Sequence, residues 1–597
     1  MVSQEDFDLE INHLFHTIQN ISKKLDIENE HFTKILTEYN KKLREIGKSG
    51  SGTLELSVKE LESFARDNNL VFSEKIIKEL KYQIKNPYFS RLIFKPDLQN
   101  SELDIYIGRY SYMKNPGMKM IVDWRSPIAS LYYNNISSNS KCSYEFDIDD
   151  KKTGLIDRKK IEGSLNLRRQ FNIESGKIKD ISDSTEELNV LDKVLEEKKG
   201  GVLETIIESI QAEQDHIIRS NINIPIIVQG TAGSGKTTIA IHKISYLLYT
   251  HSKLLNEKNI LLLINSPTLK KYIQSALRDL DIDKPNISTL KMAVINKLEQ
   301  FTDGYKYAPG DEITDESFEY NSKNIINNLM IYVDNLASGL VQDTNKILVK
   351  YRLDDYEITN DAPIFENITN LLIEIEKLND DLFTIESEKP IPNFERPIFK
   401  RLRNAYESLN NLKSSFKLIS EFNKFLVLHK LYIPRNSKEF LYYLYIFAEY
   451  LWGENIPGYK FNFVLVDEGQ DYSILEYEVI KRLAYKGRVN IFGDIYQNTN
   501  NNGILHNWDD VIKVWANQNE VPKFFNLAIS YRNTKQITEF NKSILCKFFN
   551  SEYIPNAYNR DGIYPNIISF SNKNEMLKQL LNDLMILSRV NLNQYAL

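Results

Sequence analysis

The chain has 597 residues, 42% hydrophobic and 26% charged, which excludes a disordered or fibrous protein and leaves room for about three to five domains. A net charge of −6 excludes a whole-molecule positive field, so any polyanion contact is local or the main partner is a protein. Cys142 and Cys546 stand too far apart for metal-ligand spacing, the start is acidic and polar, and no stretch nears the ~20 apolar residues of a membrane span; a cytoplasmic protein is expected.

Residues 1–46 contain neither Gly nor Pro. Phe7, Ile11, Leu14, Ile18, Ile21, Leu25, Phe32, Ile35, Tyr39 and Ile46 fall on the a and d positions of a heptad, interrupted by Glu28 and Lys42. Gly47-Lys48-Ser49-Gly50-Ser51-Gly52 then breaks the helix. It contains Gly-Lys-Ser, but Lys42, not glycine, stands six residues ahead of Lys48, so a flexible turn is expected and not a phosphate loop. Leu61, Phe64, Ile76, Ile77, Leu80 and Ile84 restore the helical period, giving an antiparallel coiled-coil hairpin over 1–85. Periodicity alone does not separate a packed helical subdomain from a projecting arm.

Residues 86–200 read as a small β-rich domain. Asp104–Arg109 and Lys119–Arg125 have strand character, and Ser164–Asn172 pairs with Lys177–Ile181 across Glu174-Ser175-Gly176. Asp123, Trp124 and Arg125 read as an ion pair beside a semi-buried indole. A helix from about Val202 carries Gln214, whose amide can donate and accept toward an adenine edge.

The strongest signal follows. Ile226-Ile227-Val228 is a buried strand; Gly230-Thr231-Ala232-Gly233-Ser234-Gly235-Lys236-Thr237 has the spacing G-x-x-x-x-G-K-T, and Thr238 opens apolar positions at helical intervals. Strand, glycine loop and helix are the context of a phosphate-binding loop: backbone N–H groups and the helix terminus face an anion, Lys236 reaches the β- and γ-phosphates, and Thr237 ligates Mg²⁺. ATP and Mg²⁺ are the expected cofactors.

Residues 201–270 are the first part of a motor domain, with a second strand over Asn259–Asn265. The interval 271–454 reads as a helical insertion, with examples over Ile368–Leu378, Ile398–Phe416 and Phe440–Trp452, punctuated by Pro390, Pro392 and Pro397. The motor resumes over 455–520. Phe461–Val466 runs into Asp467-Glu468-Gly469-Gln470-Asp471, where Asp467 suits a metal and Glu468 an attacking water. Val489–Phe492 precedes Gly493-Asp494 and Gln497. Tyr531 and Arg532, in the segment 521–597, offer a stacking ring and a phosphate clamp.

Together these elements resemble superfamily 1 motor ATPases of the UvrD/Rep kind. The hairpin, the segment Ile121-Val122-Asp123-Trp124-Arg125-Ser126-Pro127-Ile128 with Leu131-Tyr132-Tyr133, and the insertion are similar to the HelD branch, motors that bind RNA polymerase. The resemblance implies an α/β fold: a RecA-like P-loop NTPase motor with a parallel sheet, an N-terminal coiled-coil arm, a small β-rich domain and a helical insertion. It implies that Gln214 reads adenine, that Gly230, Gly233, Ser234, Gly235, Lys236, Thr237 and Thr238 cradle phosphates, and that Thr237 and Asp467 hold Mg²⁺. Glu468 would be the catalytic base, Gln497 and Arg532 γ-phosphate sensors, and Tyr531 a base stack. Residues 1–85 would enter the polymerase secondary channel and the insertion its main channel.

Three departures shape the expected function. Asn498-Thr499-Asn500-Asn501-Asn502 stands where UvrD-type helicases carry a DNA-stacking aromatic, and Asn265-Ser266-Pro267-Thr268-Leu269 replaces their Thr-Phe-Thr-Asn box; each stacking contact is worth about 1–3 kcal/mol per base. The tip, Gly47–Gly52, lacks acidic residues, so its role would be steric. Nothing between Phe540 and Leu597 matches the family's last motor motifs, so 521–597 is expected to be an incomplete second motor domain. The expected protein is a monomeric HelD-type motor that recycles RNA polymerase, impaired in hydrolysis; DNA is a possible further partner. The alternatives are a 3′–5′ DNA helicase of repair or recombination and a non-hydrolysing nucleotide binder.

Overall fold

The computed structural model describes residues 3–46, 70–115, 118–134, 140–149, 156–183, 210–294, 315–356, 358, 363–387, 397–429, 443–444, 446–448, 451, 461–498, 505, 507–515, 521–548, 553–558 and 560–588. The turn expected at Gly47–Gly52, the helix start at Val202, Pro390–Pro392, most of Phe440–Trp452 and Thr499–Asn502 lie outside them. The chain divides into two compact units, 1–228 with 237–525 and 229–236 with 526–597.

In the first unit, α1 (Gln4–Ile46) and α2 (Leu70–Lys85) precede seven strands: β1 (Ser90–Pro96), β2 (Leu103–Gly108), β3 (Tyr112–Asn115), β4 (Met118–Asp123), β5 (Ser140–Asp149), β6 (Ile156–Glu174) and β7 (Lys177–Ser182). They form one sheet in the order β3-β4-β2-β1-β6-β5, with β7 on β6. The β6–β7 hairpin closes on Ser175 and Gly176, both at positive φ (50° and 75°), as a two-residue turn matched to strand twist requires. β2 and β4 pair in parallel, whereas β1 pairs antiparallel with both β2 and β6. β1 and β5 were not read as strands, although Tyr144–Asp149 alternates apolar and polar residues and β1 is buried at every second position.

The helices dock on this sheet. Leu14 and Ile21 of α1 and Leu80 of α2 share a core with Tyr88, Tyr106 and Phe171. His13 lies 3.3 Å from the Tyr88 hydroxyl, and Ile18 meets the end of α2 at Ile84 beside Gly176, so α2 runs back along α1. Among the described side chains of α1 the buried ones are Glu10, Leu14, Thr17, Ile21 and Ile35; Leu14, Ile21 and Ile35 lie on the expected heptad seam, while Ile11, also expected there, is 43% exposed. The reason is electrostatic. Glu10, 1% exposed, accepts from Arg91 Nη1 (2.8 Å), Arg169 Nη1 (3.0 Å) and the Tyr106 hydroxyl (2.9 Å), so its carboxylate turns inward.

A second sheet, in the order β10-β9-β11-β12-β8-β13, comprises β8 (Ile226–Gly230), β9 (Ile260–Leu263), β10 (Asn286–Ser288), β11 (Phe463–Val466), β12 (Val489–Gly493) and β13 (Lys523–Leu527). The pairs β10–β9, β9–β11 and β11–β12 are parallel. Their apolar runs are buried on both faces, as parallel strands must be. β10 falls within 271–454, where only helices were expected: three residues give no periodic signal. β13 joins this sheet through Lys523 N donating to Pro225 O, at residues read as the second motor domain. The helices of this stretch are α3 (Ala212–Ile218), α4 (Lys236–Thr250), α5 (Pro267–Asp279), the long α6 (Asp315–Lys350), α7 (Ile364–Ser387), α8 (Pro397–Ser415) and α9 (Leu418–Leu428), of which α6, α7 and α8 pack on one another.

The Asp123-Trp124-Arg125 segment ties the first sheet to α4. Arg125 binds Asp123 through two bonds of 2.8 and 2.7 Å and donates to Ser245 Oγ at 3.2 Å. Trp124 meets the His242 ring edge-on. The ion pair is as expected; the indole is not semi-buried but 1% exposed. Arg219, just after α3, donates to Trp124 O at 2.7 Å and to Asp215 at 2.7 Å.

In the second unit, β14 (Ile529–Ser530) pairs in parallel with β15 (Asn556–Ala557), beside α10 (Lys535–Phe548), and α11 (Lys573–Ser588) follows. Among the described residues no helix is long and apolar enough to cross a membrane.

Removing Glu10 deprives two guanidiniums of a buried partner. Glu10→Ala should cost about 3 kcal/mol in urea denaturation, the low end for breaking a buried pair because Asp183 and Asp104 remain, while Asp104→Ala, half exposed, should cost under about 1 kcal/mol.

Candidate nucleotide-binding site

The glycine loop belongs to the second unit and is held from its carbonyl side. Lys236 Nζ donates to Gly230 O (2.8 Å), Ser530 Oγ to Ala232 O (2.7 Å) and Tyr531 N to Gly233 O (3.0 Å). Gly233 and Gly235 have φ of 78° and 87°, and a Cβ on Gly233 would lie 2.4 Å from Arg532 Cβ, so both backbone freedom and close approach demand glycine. Arg532 is thus packed on the loop with an exposed guanidinium that has no hydrogen-bond or ion-pair partner among the described residues. The Tyr531 ring lies 5.4 Å from that of Tyr558. Thr231 Oγ1 and Ser234 Oγ are buried and lack a hydrogen-bond partner among the described residues. Buried donors facing a glycine loop, with an ammonium held only by carbonyls, fit a phosphate chain.

The first unit holds the carboxylates. Thr237, the residue after Lys236, donates through Oγ1 to Asp467 Oδ2 at 3.0 Å, with Asp467 at the end of β11 and 3% exposed. Glu468 has φ 53° and ψ 48°, a left-handed conformation costly for a residue with a side chain. Its backbone carbonyl accepts from Asn265 Nδ2 (3.2 Å), which also donates to Asp471 Oδ2 (2.9 Å). Its Oε2 accepts from Gln470 Nε2 at 2.8 Å. Gln470, 3% exposed, accepts through Oε1 from Asp494 N (2.9 Å), and a Cβ on Gly493 would lie 2.7 Å from that oxygen. Gln497 donates to Asp494 Oδ2 at 2.6 Å and is otherwise exposed.

Gln214 sits in the first turn of α3 and accepts from Gln211 N at 3.3 Å, leaving its amide N–H groups for another partner. Thr238 bonds through its carbonyl to the His242 ring at 2.8 Å. The structure thus brings Gly230, Gly233, Ser234, Gly235, Lys236, Tyr531 and Arg532 together in one unit. Thr237, Asp467 and Glu468 gather in the other with the Gln470–Asp494–Gln497 chain. Sequence reasoning gave no role to Ser530, Gln470, Asn265 or Lys243. Gln470 and Ser530 could have been found as the polar residues beside matched motifs; Asn265 and Lys243 carried no such signal.

Among the described residues no group of three His, Cys, Asp or Glu side chains is placed to hold a metal alone. One hydroxyl and one carboxylate 3.0 Å apart suit a Mg²⁺ that arrives with phosphates and keeps several waters.

Two family models match this chain. The N-terminal domain of DNA helicase IV HelD covers residues 16–196, and the N-terminal domain of UvrD/REP helicases covers 210–499. The chain belongs to the UvrD/HelD-type superfamily 1 helicases. It is also 24% identical over 363 residues to the Gabija protein GajB of Bacillus cereus (strain HuB5-5), a match covering 56% of this chain and 50% of the relative. It therefore spans about half the length of that curated relative. Members of the UvrD-like family are ATPases that typically use ATP and Mg²⁺.

Burial pushes the His242 imidazole down to about 4, below its ordinary 6.5. The unfolded chain therefore binds a proton between those values that the folded chain refuses, and stability is lost as pH falls from 6.5 toward 4. Urea midpoints for His242→Gln should fall less steeply over that range than those of the unsubstituted protein.

Proposed function

We propose that this chain is an ATP-binding motor of the HelD type that remodels or recycles RNA polymerase. The observation that carries the nucleotide half is the Thr237–Asp467 pair, 3.0 Å apart, on the residue next to Lys236. In this reading the loop N–H groups, Ser234 and Lys236 hold the phosphates. Thr237 and Asp467 would hold Mg²⁺, which when bound offsets phosphate charge. Glu468 orients the attacking water and takes its proton; Gln470 and Asn265 keep that carboxylate aimed. Gln497 and Arg532 sense the γ-phosphate, Tyr531 stacks on the base and Gln214 reads its edge. Lys236 and Arg532 are the cations that the described geometry brings to the loop.

The polymerase half rests on the match to the HelD N-terminal domain, which takes in most of α1, all of α2 and the seven-stranded sheet. We assign residues 1–85 to the arm, 86–200 to the β-rich domain, 201–270 and 455–520 to the first motor domain, and 521–597 to the second. The interval 271–454 then contributes most of α5 and β10 to the motor before the long helix α6. A 3′–5′ DNA helicase is the second reading, favoured by the DNA helicase description of the matched N-terminal domain.

Lys236→Ala should weaken ATP binding at least tenfold, about 1.4 kcal/mol, by calorimetry; equal affinities would sink the phosphate assignment. Any measured ATP turnover should disappear in Glu468→Gln. Replacing residues 30–72 by a Gly-Ser linker removes the distal hairpin and spares the turns docked on the sheet. Co-purification with bacterial RNA polymerase should then drop while ATP affinity holds. Unchanged co-purification would refute the arm's role, and unwinding of a tailed duplex would favour the helicase reading.

A further inference from the structure

We infer that Lys243 is a positioning residue for base recognition: its buried side chain fixes α3, the helix carrying Gln214, and so sets the preference for adenine. This rests on the adenine-reading role proposed for Gln214.

Lys243 lies on α4 and is 0% exposed. Its Nζ donates to Ile217 O (3.0 Å), Ile218 O (3.3 Å), Ser220 O (3.2 Å) and Ser220 Oγ (2.8 Å). All four acceptors belong to the last turn of α3 or the residues after it, where the carbonyls carry the negative end of the helix. No carboxylate is hydrogen-bonded to this ammonium, and burial pushes it down to about 7. A methionine of similar length would fill the volume without that desolvation cost. What the ammonium adds is a set of directional bonds to one short element.

That element needs them. α3 spans Ala212–Ile218, too short to hold its own position, since isolated helices of this length are unstable. It is fixed from two sides. Arg219 donates to Trp124 O (2.7 Å) and Ser126 O (3.0 Å), and Lys243 grips its end from α4. Gln214 lies one turn before Ile218, so a tilt of α3 moves its amide directly. A two-point hydrogen bond to a base edge tolerates little displacement, whereas the contacts of Lys236 with phosphate do not depend on α3.

The test measures affinity of the full chain for ATP, GTP and inorganic tripolyphosphate by calorimetry, with thermal melts to verify folding. The unsubstituted protein should prefer ATP over GTP by about tenfold or more, roughly the value of one good polar contact. Lys243→Met should bring that ratio to within about threefold and leave tripolyphosphate binding unchanged, and Lys243→Arg should largely preserve it. Lys243→Met combined with Gln214→Ala should be no worse than Gln214→Ala alone, because both act on one contact. Should Lys243→Met fail to fold, Ser220→Ala, which removes the shortest contact, should lower the ratio in the same direction. A folded Lys243→Met with an unchanged ratio, or additive losses in the double variant, overturns the inference while Gln214 keeps its role. An absence of ATP preference in the unsubstituted protein, unaffected by Gln214→Ala, overturns the role of Gln214 and this inference with it.

Discussion

Nothing in this fold is more constrained than the helix α4, because it is buried all round. From Ile239 to Leu247 every residue is buried, and the stretch contains His242, Lys243 and Ser245. A polar group in such a place must be satisfied or it costs several kcal/mol. His242 Nδ1 takes Thr238 O while its Nε2 has no hydrogen-bond partner among the described residues, Lys243 takes the end of α3, and Ser245 takes Arg125. The last two of these contacts reach outside the helix, and α4 is thereby the point at which the segment after β4 and the end of α3 meet.

The carboxylate site shows a second economy. Left-handed backbone at a non-glycine residue costs of order 1–3 kcal/mol and persists only where surroundings impose it. At Glu468 three contacts do so: Asn265 on its carbonyl, Gln470 on its carboxylate, and Gly469 after it, whose missing Cβ makes room for Ile491 and the Tyr477 hydroxyl. Gln470 uses both ends of its amide, one on Glu468 and one on the backbone of Asp494. A change at Asp494 therefore reaches Glu468 through two hydrogen bonds, and one at Gln497 through three.

What was legible in the sequence follows from where information is local. The phosphate loop is a contiguous code, since Gly233 and Gly235 need positive φ and Lys236 must follow at fixed spacing. The apolar runs of β8, β9, β11 and β12 are read from composition because parallel strands are buried on both faces. By contrast β10 is three residues long, and its identity depends on its partner β9. Glu10 reads as a solvated helix residue until Arg91 and Arg169, far off in sequence, are placed beside it. Lys243 and Asn265 were missed for the same reason: a lysine in a helix and an asparagine after a strand are ordinary until long-range acceptors are known. The heptad over 1–46 was the opposite case. A local pattern was present, but the buried turns of α1 answer to a sheet, whose carboxylate-binding arginines override the apolar seam at Ile11.

The two buried joints also fix how movement passes through the first unit. Glu10 and Leu14 bind α1 to the sheet at Tyr106 of β2, and β2 pairs with β4, whose last residue Asp123 leads into the Trp124–Arg125 joint on α4. Both joints are closed, dry and hydrogen-bonded, with Glu10 and Trp124 each 1% exposed. Close-packed contacts of this kind do not deform continuously, so α1 is tied firmly to the sheet whose strand β4 leads into the joint on α4. At 1.5 Å per residue the part of α1 beyond Ile21 is about 38 Å long, so a rotation of one degree at the docked turns moves its far end by about 0.7 Å.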